Sequence, residues 1–513
     1  MRLLLAALTA MLALPGTALA GEVLLVEGGG FGHGVGLSQY GAEGCARHGW
    51  DYARIVKHYF PHTTWARTPD RPIRVLLAEG QKQVAVGSSA PFLVQDARGR
   101  KLHVKPRVLR FSAKLHFRGH VLVPPVRIVA GAQVLTFGGI GYRGDLVLYA
   151  HDGILDAVNE VPLERYLRAV VPAEMPWQWH LAAYEAQAVA ARSYALSQLK
   201  GPGQTFDLYA DQRDQMYGGI AAERPETNLA VGKTAGRILT WDGRPIVGYY
   251  SASSGGMTSA VSDVWPEKPQ VPYLVPVRDP FDAISPYHRW TLALTPTELA
   301  AKLKVPVRDL RVEKNRSGRV VSVRVLGKGG ATKVPVSDFR EALGLRSSRF
   351  SIRVLSLDLP SGRAVYGKPL ALEGFVRGLA GVVLQERTPS GSWRRVARVR
   401  GGRDGRFRAV VRPRYPTSYR LAVDGTPGPD VSVDVARRIA VRANGVVLAG
   451  KVQPAAPVRI ERRVGRGWKP VAHVLVGPSG FFRTRLEHAG SYRAVAGGGR
   501  FLTSATPPVS VSR

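Results

Sequence analysis

A glutamate held between two prolines is the residue of this sequence best suited to acid–base chemistry. In VPLERYLRAVVPAEMPWQWHLAAYEAQAVAARSYAL, Glu174 stands between Pro172 and Pro176 and beside Met175. The prolines restrict the backbone, and apolar neighbours raise a carboxyl pKa toward neutrality, as a general acid requires. Trp177 and Trp179 follow at once, and indole faces stack on sugar rings as on other apolar faces. By itself Glu174 also reads as an ordinary solvated carboxylate just ahead of a helix, since acids favour helix N-termini. His33 in GGGFGHGVG is a second candidate, because flanking glycines let backbone and ligand approach the ring closely. Alone, it reads more readily as a hydrogen-bonded structural histidine. No register of that block gives G-x-G-x-x-G, and no G-K-[ST] follows, which argues against nucleotide binding.

The element that must carry the neighbours of Glu174 is the alanine-rich HLAAYEAQAVAARSYALSQL. It is expected to be a helix beginning near His180 and ending at Gly201, Pro202 and Gly203, with Leu181, Tyr184, Ala188, Ala191 and Ala195 on one face. Upstream, IRVLLAEG, LRFSAKLHFRG and GDLVLYAHDGILDAVNEV alternate as strands. Downstream come a strand at GRPIVGYYSAS, a helix at PTELAAKL and a strand–turn–strand at GRVVSVRVLGKGGATKVPV. After the glycine-rich block, Leu37, Tyr40, Ile55, Val56 and Tyr59 suit helices packed on a core. From about Pro360 onward strands and turns repeat. Trp393, Gly405, Phe407, Tyr419 and Arg420 recur as Trp468, Gly480, Phe482, Tyr492 and Arg493, 73–75 residues later. That period predicts two β-sandwich modules in tandem.

At 513 residues the chain predicts three or four domains, and 45% apolar with 21% charged residues excludes a wholly disordered or fibrous protein. Lys and Arg number 72 against 38 Asp and Glu, a net charge of +34 that predicts an anionic partner. Ser361–Arg513 holds 28 of those cations and only 8 acids, which fits wall tethering or a solubilised spacer. The opening MRLLLAALTAMLALPGTALA reads as a secretory signal peptide with an A-x-A cleavage site before Gly21. The protein is therefore expected to be secreted or associated with the cell wall, with a wall or membrane surface rather than nucleic acid as its polyanion. The single cysteine, Cys45, excludes a cysteine zinc cluster and an internal disulfide, and is expected to be a buried structural thiol.

VPAEMP followed by AQAVAARSYAL, then YYSASSGGMTSAVSDVW and PYLVPVRDP, together with GFGHGVGLSQYGAEG and IVKHYFPHT, resembles the SpoIID/LytB family over roughly Gly21–Leu357. That family is named for stage II sporulation protein D and an amidase enhancer. In it the GHGVG-x-SQYGA block comes last, after the strand that DFREALGLRSSRFSI resembles. Here it comes first, so the motif order reads as circularly permuted and Gly21–Trp65 is expected to dock where the family's C-terminal segment docks. Some members resemble zinc proteins near the region of DLYADQRDQMYGG, which has no cysteine here, so no metal or other cofactor is expected.

The resemblance implies an exported peptidoglycan lytic transglycosylase. It would cut MurNAc-GlcNAc bonds, preferably in stem-peptide-free glycan, and leave 1,6-anhydroMurNAc ends, with Glu174 catalytic. Ordinary glycosidases pair two carboxylates; one suffices where the muramic acid's own 6-hydroxyl attacks. Sugar contacts are implied for His33, Ser38, Gln39, Tyr40, Trp177, Gln187, Arg192, Tyr194, Ser253 and Ser254, most of which serve equally well as fold-stabilising groups. Asp263 and Trp265 are expected to be structural. The family's other branch implies a non-catalytic, glycan-binding enhancer of an N-acetylmuramoyl-L-alanine amidase. Expected partners are peptidoglycan glycan strands, anionic wall polymers at the basic C-terminal modules and, in the enhancer reading, a cell-wall amidase. The expected fold is a mixed, strand-rich α/β catalytic region followed by two all-β sandwich-like modules. Its expected divisions are a leader at 1–20, the permuted segment at 21–66, the catalytic region at 67–357, and modules at 361–435 and 436–513.

Overall fold

The computed structural model describes residues 22–307, 309–327, 330–423 and 426–512; the expected leader lies outside them. Five helices pack together: α1 (Gln39–Arg47), α2 (Tyr52–Tyr59), α3 (Leu163–Glu174), α4 (Leu181–Ser197) and α5 (Pro225–Lys233). The alanine-rich sequence propagates α4 well, and its small side chains let α1, α2, α3 and α5 all pack on it. The single apolar face expected from the pattern is therefore absent. From Ala186 to Leu196 α4 is enclosed on every side, with Gln187, Arg192 and Ser193 as buried as the alanines.

Two sheets position the segment around Glu174. A seven-stranded sheet includes Pro72–Gln81 beside Ile154–Pro162, and Ile154–Pro162 runs directly into α3. The short strand Leu208–Tyr209 pairs parallel with Pro72–Gln81, so one sheet anchors both α3 and the loop after Tyr209. A four-stranded sheet packs near it, with Val86, Val94, Phe111, Ile128 and Leu148 among the core residues. The strand expected at GRPIVGYYSAS divides into Arg244–Pro245 and Tyr250–Ser251. Between them the chain crosses α4 so closely that a Cβ on Gly248 would lie 2.5 Å from the Ala190 carbonyl oxygen.

The strand Glu22–Gly28 lies antiparallel between Trp290–Leu294 and Phe350–Leu357, with Val26 opposite both Leu292 and Ile352. This sheet continues through Leu370–Arg377 and Arg406–Val411, strands of the first β module. Leu25 and Leu355 accordingly share a core with Leu372, Leu384 and Tyr419. The second module encloses Leu448, Val458, Ile460, Phe482 and Tyr492 between its own strands. The internal repeat is visible in a shared feature: the Arg420 guanidinium lies 4.0 Å over Trp393, and Arg493 lies 4.4 Å over Trp468.

Candidate functional site

The sequence places Glu174 just ahead of a helix; the structure places it on the last turn of another, α3, with Pro172 inside that turn. Met175, biased to extended backbone by Pro176, stops the helix there. The helix dipole thus opposes a charge on Glu174 instead of favouring it. Burial raises its carboxyl pKa above the usual range, partly countered by the Met216 N–H, which donates to Oε1 at 2.7 Å. The Tyr250 hydroxyl lies near enough to counter the shift slightly, yet it is buried and makes no hydrogen bond of normal geometry. No neighbouring charge contributes to the shift, so this carboxyl is tuned by its surroundings and not by a second acid. Behind it, Tyr166 donates to Oε1 of Gln215 at 3.0 Å.

Trp177, 73% exposed, lines a cavity of about 470 Å³ with Pro172, Met175, Tyr184 and Arg224. Trp179 turns inward and meets Tyr40 edge-on at 4.8 Å. Tyr40 also meets Tyr287, which in turn meets Phe31, with centroids 6.0 and 5.0 Å apart. This aromatic run joins the glycine-rich block to the loop after Glu174. From α4, Tyr194 reaches the loop after Tyr209 that carries Met216, donating to Asp214 at 2.7 Å.

The glycine-rich block does face the segment around Ser253. Leu37–Ser38 pairs parallel with Tyr250–Ser251, and Phe31 bridges Ser253. Gly36 is at φ +74°, and a Cβ there would lie 2.1 Å from the Tyr249 carbonyl oxygen. His33 is half-buried, edge-on to Tyr249 at 5.8 Å and tilted against Trp265 at 5.0 Å. Its Nδ1 accepts from the Val35 N–H. Burial, and after it Arg319, pushes the imidazole pKa down to about 4, so His33 is neutral near pH 7.

The serines of this wall turn inward. Ser253 donates to Asp282 at 2.8 Å, Ser254 to Asp279 at 2.7 Å, and Ser38 caps α1 while donating to Asp282 at 3.1 Å. Asp282 also receives Nδ1 of His288 at 2.9 Å, and Asp279 receives the Tyr59 hydroxyl at 2.8 Å. Burial, with repulsion from Asp282, raises the Asp279 pKa. Sequence reasoning assigned no role to Asp279, Asp282 or His288; the acids at the end of PYLVPVRDPFD were the available signal. Gln39 and Gln187 face each other at 3.5 Å between α1 and α4. Glu43, fully buried, receives the backbone N–H of His180 at 2.8 Å and so caps α4 from α1. Cys45 is buried, its thiol pKa pushed up to about 12 chiefly by burial.

Arg192 is not brought to Glu174. It is fully buried, with Nε and Nη2 donating to Glu164 at 2.8 and 2.7 Å and Nη1 to the Arg237 carbonyl at 3.1 Å. Arg192→Met should therefore cost about 3 kcal/mol of stability, since removing one partner strands the other, while substrate KM stays unchanged. Denaturant unfolding and steady-state kinetics check this, and a raised KM at unchanged stability would overturn it. Among the described residues no group of three or more His, Cys, Asp or Glu side chains converges to hold a metal ion.

Residues 151–241, which include Glu174, Trp177, Gln187, Arg192 and Tyr194, match the family model SpoIID, stage II sporulation protein. The chain is 42% identical over 137 residues to an amidase enhancer of Bacillus subtilis (strain 168), covering 26% of this chain and 18% of that protein. It is 30% identical over 214 residues to a stage II sporulation protein D of Bacillus amyloliquefaciens, covering 38% of this chain and 61% of that protein. An uncharacterized protein of Brachyspira hyodysenteriae (strain ATCC 49526 / WA1) is 36% identical over 166 residues, 32% of this chain and 44% of its own. The chain thus spans less than two thirds of the length of each of these relatives.

Proposed function

From its membership of the SpoIID family, we propose that this chain is a peptidoglycan lytic transglycosylase with Glu174 as its single acid–base group. The observation that carries the reading is the Glu174 carboxyl. It is raised in pKa by burial, held at one oxygen by the Met216 N–H, and followed by an exposed tryptophan. A protonated Glu174 would give its proton to the glycosidic oxygen as the bond to the muramic acid C1 breaks. The resulting carboxylate would then take the proton of that sugar's 6-hydroxyl as its oxygen closes on C1. Glu174 ends the cycle protonated, and no water is consumed. The aromatic run from Phe31 to Trp179 supports sugar-ring stacking along the approach.

The seating of Glu22–Gly28 beside Phe350–Leu357 supports the permuted motif order. Basic modules suit an extracytoplasmic protein held at an anionic wall, and among the described residues no helix is long and apolar enough to cross a membrane. Mass spectrometry of products from purified stem-free glycan tests the activity. We expect 1,6-anhydro ends; reducing muramic ends would mean hydrolysis by water, and unchanged glycan would remove the enzymatic reading. The match to an amidase enhancer favours one alternative, a glycan-binding protein that stimulates a cell-wall amidase without cutting glycan itself.

A further inference from the structure

A cavity of about 760 Å³ opens where Gly28, Trp290 and Phe350 meet the first β module at Val423, and none of its lining residues touches on the Glu174 chemistry. Cations dominate its wall. Arg289, Lys314, Arg349 and Arg353 face one acid, Glu27, which already pairs with Arg353 at 2.9 Å. Two further guanidiniums stand near these. Arg319 is 2% exposed with Nη2 unpartnered, and Nε of Arg340 is likewise buried without a partner.

The partners these groups do have are neutral. Lys314 donates to the Ser351 hydroxyl at 2.9 Å, and Arg349 to the Met257 carbonyl at 3.2 Å. Arg319 donates to the Ser259 and Ser348 hydroxyls, and Arg340 to the Arg346 carbonyl at 3.4 Å. Burial holds all four side-chain pKa values below their usual range, and the neighbouring Arg349 deepens the shift at Lys314 and Arg319. Asp263 softens this at Arg319 and Asp282 at Arg349, and the Asp282 oxygens are already taken by Ser38, Ser253 and His288. Like charges gathered in a partly buried wall without a counter-ion are costly, and a bound anion relieves them.

We propose that this cavity is a second, non-catalytic site that binds the phosphodiester groups of a linear polyanion. Guanidinium forks match phosphate oxygens. Three cations without an acidic partner face one opening, more than a single sugar carboxylate would neutralise. Val423 brings the first β module, part of the strongly basic Ser361–Arg513 segment, to the cavity wall.

The test uses the full chain and a synthetic glycerol-phosphate oligomer, with affinity read by calorimetry. Arg289 and Lys314 are exposed, so the double variant Arg289→Ala, Lys314→Ala should fold normally; thermal unfolding verifies this. Its affinity should fall at least tenfold. The charge-matched pair Lys82→Ala, Arg110→Ala, on exposed positions outside both the cavity and the β modules, should stay within twofold of the parent. Equal losses in the two double variants would replace the site by diffuse attraction. An unaffected cavity variant, or no binding by the parent, would remove it. Loss of stem-free glycan binding alone would reassign the cavity to a sugar carboxylate and overturn the proposal.

Discussion

Glu174→Gln should keep the fold and lose about 10²–10⁴-fold of the rate at which anhydro ends form, the range that general acid–base groups contribute. Gln retains the oxygen that accepts the Met216 N–H but has no proton to give. The pH dependence fixes the sign independently. The native carboxyl has a raised pKa, so it remains a competent acid above the usual carboxylate range, and kcat/KM should fall as pH rises through that raised value. Stability should move the same way, because the folded state holds this proton more tightly than the unfolded state and loses stability as pH rises between the two pKa values. The Gln variant lacks that slope and should be at least as stable as the parent at neutral pH. Full activity in a well-folded Gln variant would take Glu174 out of the mechanism; a variant that gains pH sensitivity would contradict the burial argument.

Deleting residues 21–66 should abolish cooperative unfolding of the region around α4 instead of trimming an arm. Leu24, Val26, Val35, Leu37, Ile55, Val56 and Phe60 are all fully buried. Their burial contributes on the order of 10–20 kcal/mol, as much as the 5–15 kcal/mol by which whole domains are stable. The deletion also removes the strand between Trp290–Leu294 and Phe350–Leu357, leaving two facing edges with no partner. Calorimetry and dye binding would read the loss as a vanished transition with exposed apolar surface. An unchanged melting temperature with unchanged activity would show that the N-terminal block is dispensable.

The sequence by itself determined the local elements and the reactive candidate. Alanine content set α4, which ends at Ser197, short of the expected stop at Gly201–Gly203, while Thr295 before Pro296, with Glu298 following, supplied the capping box of the helix at PTELAAKL. Alternation set the strand pair Val320–Gly327 and Gly330–Pro335, and the 73–75-residue repeat announced two β modules. Glu174 was legible because its prolines and tryptophans are adjacent in the chain.

Tertiary structure alone decided which polar groups answer each other. Arg192 and Tyr194 lie two residues apart on one helix, yet Arg192 closes on Glu164 while Tyr194 reaches Asp214. Ser253 and Ser254 turn from an expected sugar wall into Asp282 and Asp279, and Ser38 joins Asp282 across 244 residues of chain. The motif order pointed to where Gly21–Trp65 docks, but not to the pairing of Glu22–Gly28 with both Trp290–Leu294 and Phe350–Leu357. The reason is physical. Hydrophobic periodicity and turn chemistry act over a few neighbouring residues, whereas a buried hydrogen bond or a β pairing is satisfied by whichever partner the packed chain brings within about 3 Å.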